Sequence, residues 1–299
     1  MLILVVGSKK RGIFLEKTIF LLHLSVTRGI GPVTKQKIYQ YAKKLDCWQF
    51  SSAELFPFTR GKGLGDWENW TKERLIELKE HHSLITIEDE RYPSQLRLIP
   101  VPPLVLFYKG NLKLLEREGL SVVGARTASD YGYGVLRRFM PELMKRQFVI
   151  VSGLAKGIDS FAHQFAISNQ GKTIGVIGTG LDICYPKESG NLQIEMARNH
   201  LVLSEYPDGT RPAKFHFPMR NRIIAGLGQG VLVIEAKQKS GSLITSQQAL
   251  DYGKEVFAVP GSVLDGRSAG CHQLIQDGAV CVEKVQDILD SLQLLKKIY

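Results

Sequence analysis

Residues Ser121-Val122-Val123-Gly124-Ala125-Arg126-Thr127-Ala128-Ser129-Asp130-Tyr131-Gly132 decide how the fold is read. An apolar run ends in a glycine, an arginine follows two positions later, and a polar segment then opens as a helix does. A strand that ends in glycine and feeds a helix leaves several backbone N–H groups converging on a shallow concavity, which suits an anion. Arg126 adds a fixed positive fork matched to phosphate geometry. The stretch reads either as a phosphate-backbone site at the carboxyl edge of a parallel sheet or as a packing turn with its arginine in solvent.

The chain on either side favours the sheet. From Leu120 onward short apolar runs alternate with helix-length amphipathic segments, giving candidate strands at 120–123, 148–151, 173–177, 201–204, 231–235 and 255–259, and a short one near 279–282. Strands this apolar are buried on both faces, as in a parallel sheet covered by helices. Pro141 interrupts the apolar pattern Val135, Leu136, Phe139, Met140 and Leu143, so that helix is expected to kink or restart. Ahead of this region, Leu104–Tyr108 reads as a leading strand and the proline-containing stretch 93–103 as a boundary. The domains expected are a helical one over 1–90, a linker with its strand over 91–119, and an α/β domain over 120–299.

Ligands of open α/β sheets bind outside the carboxyl ends of the strands. Here those ends read Gly124-Ala125-Arg126, Ser152-Gly153, Gly178-Thr179-Gly180 and Ser204-Glu205, with Ser240-Gly241-Ser242 and Pro260-Gly261-Ser262 in later turns. Together they would line one edge with amides and hydroxyls, while Arg126, Lys187, Lys214, Arg220 and Arg222 supply charge. Arg220 and Arg222 also lie beside an apolar helix face, and one of them is a candidate partner for Glu205 or Glu235. Asn221 lies between them.

Three enzyme motifs fail. Gly171-Lys172-Thr173 lacks the leading glycine of a P-loop and runs into a strand instead of out of one. Gly178-Thr179-Gly180 begins a dinucleotide fingerprint whose third glycine is Ile183. Ser152, Asp159 and His163 suggest a triad, but Ile150 breaks the Gly-x-Ser-x-Gly turn. Asp159 and His163 lie one helical turn apart, where a hydrogen bond between them is the simpler expectation.

Residues up to about 85 read as helical. Gly29-Ile30-Gly31-Pro32 resembles the turn of a helix-hairpin-helix module, glycine ending one helix and proline opening the next. Gly61–Gly65 precedes a helix whose Trp67 and Trp70 are expected in the core.

The balance of 39 Lys and Arg against 29 Asp and Glu, net +10, favours a polyanionic partner. No stretch approaches the ~20 apolar residues of a membrane span. Met1–Val6 is apolar but precedes Lys9-Lys10-Arg11, the reverse of a secretory signal, so a cytoplasmic protein is expected. Cys47, Cys184, Cys271 and Cys281 are scattered, suggesting neither a zinc site nor a disulfide framework.

In order along the chain, the blocks Val123-Gly124-Ala125-Arg126, Ser152-Gly153-Leu154-Ala155-Lys156-Gly157-Ile158-Asp159, Gly178-Thr179-Gly180-Leu181-Asp182 with Tyr185-Pro186, Phe217-Pro218 with Arg220-Asn221-Arg222, Glu235-Ala236 with Ser240-Gly241-Ser242-Leu243, and Phe257–Gly261 resemble the DNA-processing protein A (DprA, or Smf) family over residues 100 to about 290. The resemblance implies an α/β fold made of an extended Rossmann-like domain after a small SAM-like helical domain. It implies binding of single-stranded DNA without sequence preference, no cofactor, no metal and no catalysis. It further implies protection of incoming strands in natural transformation, loading of the RecA recombinase onto SSB-coated strands, and a homodimer formed through the C-terminal part of the Rossmann-like domain.

By motif, Arg126 and Lys187 are the expected DNA grips, with Lys214 a weaker one; Gly124, Ser152, Gly153, Arg220, Asn221, Arg222, Ser240, Gly241 and Ser242 complete the expected interface. Gly124-Ala125-Arg126 stands where the family often has Gly-Ser-Arg, and the first dozen residues match nothing in it. A C-terminal winged helix, carried by many members, is not expected. Phe215, Phe217 and Tyr185 are candidates for base stacking or for the core. The rival reading is a nucleotide phosphoribohydrolase using Glu235 on a small 5′-phosphate; a third is a scaffold whose DNA contact is incidental.

Overall fold

In a computed structural model the described residues are 15–298, with side chains to 294. The expectations for the first dozen residues lie outside them. The chain divides into two compact units, one taking in the chain to Tyr92 and Pro100–Tyr108, the other Pro93–Ile99 and the chain from Lys109 onward. The proline-containing stretch is thus shared between the units.

In the first unit, glycines and caps delimit short helices. Helix α1 covers 15–26, and the turn at Gly29, with φ 82°, leads to Gly31 as the N-cap of α2 (Pro32–Leu45), which has Pro32 in its first turn. A capping box between Ser51 and Glu54 starts α3 (Ser52–Thr59), and α4 (Leu64–Glu68) and α5 (Lys72–His81) follow. Phe20 sits among Trp48, Phe50 and Trp67, with ring centroids 5.9, 5.5 and 6.2 Å away. Trp67 is therefore core, whereas Trp70 is half-exposed and carries the Arg74 guanidinium 5.1 Å over its ring. Strand β1 (Leu84–Thr86), which the helical reading of this region passed over, pairs antiparallel with β2 (Val105–Gly110), Leu84 opposite Phe107. At three residues β1 is too short for a pattern to register.

The second unit opens with α6 (Ser94–Arg97), whose Leu96 reaches Gly226. It then alternates β3 (Gly119–Gly124), α7 (Asp130–Lys145), β4 (Val149–Gly153), α8 (Ile158–Ser168), β5 (Lys172–Ile177), α9 (Gly190–Asn199), β6 (Leu201–Ser204), α10 (His216–Leu227), β7 (Gly230–Ile234), α11 (Gly241–Asp251), β8 (Glu255–Ala258), α12 (Ala269–Gln276), β9 (Val280–Cys281) and α13 (Val285–Ile298). These seven strands pair in parallel in the order β6-β5-β4-β3-β7-β8-β9. Each expected strand from 120 onward is present, in a Rossmann-like arrangement.

Alternation along β3 shows how both faces are filled. Leu120 and Val122 join Ile150, Leu232, Ile234 and Phe257 in a core with α7, α8 and α13. Ser121 points the other way and donates its hydroxyl to the Ile224 carbonyl of α10 at 2.7 Å. Helix α7 runs through Pro141 as one element, so of the kink or restart expected there the restart does not occur. The apolar stripe Leu136, Phe139, Met140 and Leu143 is buried on both sides of the proline, and that packing outweighs one lost backbone bond.

The chain runs outward from β3 to β6, returns through α10, and continues outward on the other side from β7. The strand order therefore reverses between β3 and β7, and a crevice must open between the loops leaving their carboxyl ends.

Candidate nucleic-acid interface

The two loops at that reversal are tied together. Ser129 caps α7 by accepting the Gly132 amide at 3.4 Å. It also donates its own backbone N–H to the Glu235 carboxylate at 2.8 Å and its hydroxyl to the second oxygen. Glu235 is buried, with a left-handed backbone at φ 53°. The β3–α7 loop also meets the start of α8, where the Ile158 amide donates to the Ala125 carbonyl at 3.1 Å. Gly157 takes φ 77° there, and any side chain on it would overlap the Ala125 and Arg126 carbonyls.

Between the loops lies a groove of about 810 Å³. Of the residues singled out in the sequence, Gly124, Arg126, Lys214, Arg220, Asn221, Ser240, Gly241 and Ser242 line it. Arg126 and Lys214 are exposed. Helix α11 points its N-terminus into the groove; its N-cap, Ser240, makes no side-chain cap bond, and its hydroxyl lies 2.7 Å from that of Ser242. The Leu243 amide turns back to the Ser240 carbonyl at 3.1 Å, and the helix dipole makes this end attractive to an anion. Asn221 spans the groove floor, donating to the Gly241 carbonyl at 3.3 Å.

Four of the residues expected at the interface do not line this groove. Ser152 is fully buried and gives its hydroxyl to the Val122 carbonyl at 2.6 Å, bracing two strands. Arg222 is buried against Glu205 at 2.5 Å, the structural pairing anticipated for one of the two arginines. Gly153 is buried and does not line the groove; a methyl group on it would overlap Arg220 Nη1 and Asp159 Oδ2, so its role is to make room for that pair. Lys187 is exposed and begins the 3-10 turn Lys187–Ser189, just past Pro186, which does line a pocket.

The groove floor holds two buried charges. Arg220 gives Nη1 to the Val176 carbonyl at 2.6 Å, while its Nε has no partner. Burial pushes the Asp159 carboxyl up to about 6, against the opposing pull of Arg220 and then Arg126. His163 does not hydrogen-bond Asp159. Its ring nitrogens meet the Thr173 hydroxyl at 2.6 Å and the Gly153 carbonyl at 2.7 Å, and burial pulls it down to about 4. No triad forms, because both ring nitrogens of His163 are taken by Thr173 and Gly153 and the Ser152 hydroxyl is given to the Val122 carbonyl, so the imidazole meets neither the Ser152 hydroxyl nor Asp159.

Beside the groove a smaller pocket of about 200 Å³ runs under Tyr185 and Phe217 to Gly178, Thr179, Lys156 and Arg220. The two rings lie 5.5 Å apart, inclined by 34°. Tyr185 is 48% exposed and Phe215 67%, so neither is core. Three groove or pocket cations were not singled out in the sequence: Lys156, Lys237 and Arg267. Lys237 follows the end of β7, where the strand-end rule would have found it. Arg267 comes from the loop after β8 and reaches the Thr127 carbonyl at 3.3 Å, which no local signal marks.

Among the described residues no group of three or more His, Cys, Asp or Glu side chains could hold a metal ion. No helix among them is long and apolar enough to cross a membrane.

The chain is 55% identical over 204 residues to DNA processing protein DprA of Streptococcus pneumoniae, a match covering 68% of this chain and 72% of that one. It is 38% identical over 281 residues to protein Smf of Synechocystis, covering 90% of this chain and 71% of that one. The X-ray structure of DprA from Streptococcus pneumoniae superposes with a TM-score of 0.83 at 43% identity, covering 92% of this chain and 97% of that one. A structure of DNA processing protein A from Helicobacter pylori, described for its single-stranded DNA binding mode, gives 0.63 at 30% identity and covers 74% and 99%. With residues 83–293 matching the family described as DNA recombination-mediator protein A, the chain belongs to that DNA-processing family.

Proposed function

We propose that this chain binds single-stranded DNA without sequence preference in the groove between β3 and β7, as a protein of natural transformation and recombination that catalyses no reaction. It shields incoming strands and promotes loading of the RecA recombinase onto SSB-coated strands, acting in the cytoplasm as a homodimer through the C-terminal part of its Rossmann-like domain. The observation that carries the DNA contact is the joining of four cations, Arg126, Lys214, Lys237 and Arg267, with an uncapped helix N-terminus around one groove whose neighbouring pocket is roofed by aromatic rings. The single-stranded DNA binding described for the Helicobacter pylori relative supports the same reading.

Cations and amides take the place of counterions on the phosphates, so affinity falls steeply with salt. Tyr185, Phe217 and Phe215 offer flat faces to unstacked bases, which a duplex cannot present. Against the phosphoribohydrolase reading, both carboxylate oxygens of Glu235 already accept from the Ser129 N–H and hydroxyl.

Fluorescence anisotropy with a labelled oligothymidylate and with a duplex, across a salt series, tests the reading. Tight, salt-steep binding to the single strand that an Arg126→Glu/Lys214→Glu double variant loses is the expected result. Equal binding by the variant would move the interface elsewhere, and no binding at all would remove it. RecA filament formation on SSB-coated strands, with and without the protein, tests the loading role.

A further inference from the structure

The two buried carboxylates of the groove are held in different ways. Glu235 is fixed by Ser129. Asp159, at the start of α8, has the Ser152 hydroxyl and the Ala155 amide beside it and faces Arg220 from α10 and Arg126 from the β3–α7 loop. Neither guanidinium closes a direct ion pair on it. Arg220, only 6% exposed, directs Nη1 to the Val176 carbonyl and leaves Nε without a partner in the protein. The other charged or titratable groups that line the groove with Asp159 are Tyr185, Lys214, Glu235, Lys237 and Arg267, with Lys156 in the β4–α8 turn and His163 one turn along α8. Helix α7 faces α8 with the Tyr133 ring, and β4 and β5 bring Ser152 and Thr173.

Resting on the DNA-binding reading above, we propose that Asp159 is a positioning residue whose carboxylate competes with a DNA phosphate for Arg126 and Arg220, so that a strand is gripped most tightly when Asp159 carries a proton. An ionised Asp159 cancels part of the field of both arginines and repels an incoming phosphate across a poorly solvated floor. Protonation removes both effects and leaves Arg220 as a buried cation with a free donor. By linkage, a phosphate that binds there raises the carboxyl's own affinity for a proton, so binding takes one up. Burial already brings this exchange to about pH 6, and His163, held near 4, stays neutral through it.

The test is oligothymidylate binding by wild type and Asp159→Asn at pH 5.5 to 8, at fixed salt. Each unit by which bound DNA raises the carboxyl pKa tightens wild-type binding by about tenfold toward acid pH. Asp159→Asn is expected to bind at pH 8 as wild type does at pH 5.5, with most of the slope gone. A folded Asp159→Asn that keeps the wild-type slope, or binds more weakly than wild type at pH 8, overturns the proposal. Calorimetry of wild-type binding at pH 6.5, in two buffers of different ionisation enthalpy, decides it without the variant: uptake of protons supports it and its absence overturns it. Failure of wild type to bind the strand at any pH is a separate outcome, and it removes the DNA-binding reading together with this proposal.

Discussion

Ser129 grips Glu235 with both its backbone N–H, at 2.8 Å, and its hydroxyl, joining the start of α7 to the end of β7 across 106 positions of sequence. The bond closes the point at which the strand order reverses. Ser129→Ala removes one donor from a buried carboxylate and the cap of α7 at the same time. It is expected to lower stability by about 1–3 kcal/mol, read as a shifted denaturant midpoint.

Gly153→Ala places a methyl group where Arg220 Nη1 and Asp159 Oδ2 now lie. Overpacking of this kind costs about 1–3 kcal/mol. Because the displaced groups form the groove floor, binding of single-stranded DNA is expected to weaken beyond what the stability loss explains. Binding measured well below the unfolding midpoint separates the two effects.

Arg222 and Glu205 are a structural pair, the arginine side chain 4% exposed. Glu205→Ala is expected to destabilise the fold by about 3–5 kcal/mol, since it removes the carboxylate paired with a buried cation. The slope of DNA affinity against salt should stay as in wild type, because neither residue lines the groove. A flattened slope in that variant would return Arg222 to the DNA interface.

Tyr185→Leu and Phe217→Leu keep apolar bulk and remove the flat ring. Each is expected to weaken single-strand binding by about 1–3 kcal/mol if a base stacks there. Tyr185 is half-exposed, so its variant should melt within a degree or two of wild type, by order-of-magnitude reasoning from surface substitutions. Anisotropy and thermal scans on the same samples read both.

Asp159 and His163 pull stability in opposite directions as the pH falls. With its carboxyl raised from 3.8 to about 6, Asp159 lets the folded chain take up a proton before the unfolded chain does, so stability rises as pH falls through that window. With its imidazole lowered from 6.5 to about 4, His163 lets the unfolded chain take up a proton that the folded chain refuses, so stability falls over nearly the same window. The two slopes offset each other between pH 6 and 4. Asp159→Asn removes the first and is expected to lose stability steadily below pH 6.5, as urea unfolding at several pH values would show. A flat profile in that variant would mean that His163 takes up protons in the folded state.

The α/β order was legible because its signals are local: β3 to β6 are apolar runs closed by Gly or Ser, β7 and β8 are apolar runs as well, and helix-length segments separate them. Strand-end glycines marked the groove for the same reason. Which polar residues face the groove and which face inward was not legible, because that depends on partners far along the chain. Ser152 and Arg222 share the composition of contact residues, yet Val122 and Glu205 hold them inside. The strand β1 escaped for want of length, and α7 does not restart at Pro141 because the helix propensity of one residue yields to the packing of its neighbours.

The reversal of strand order also sets when the groove can first exist. Its one wall, Gly124 to Thr127, is synthesised more than a hundred residues before the other, Ser240 to Ser242, and Arg267 follows later still. The strands β3 to β6 pair with one another without β7, but the groove waits for β7 to slot in beside β3. The groove is therefore a property of the joined sheet, complete only when the long-range pairing of β3 with β7 has formed and present in neither half alone.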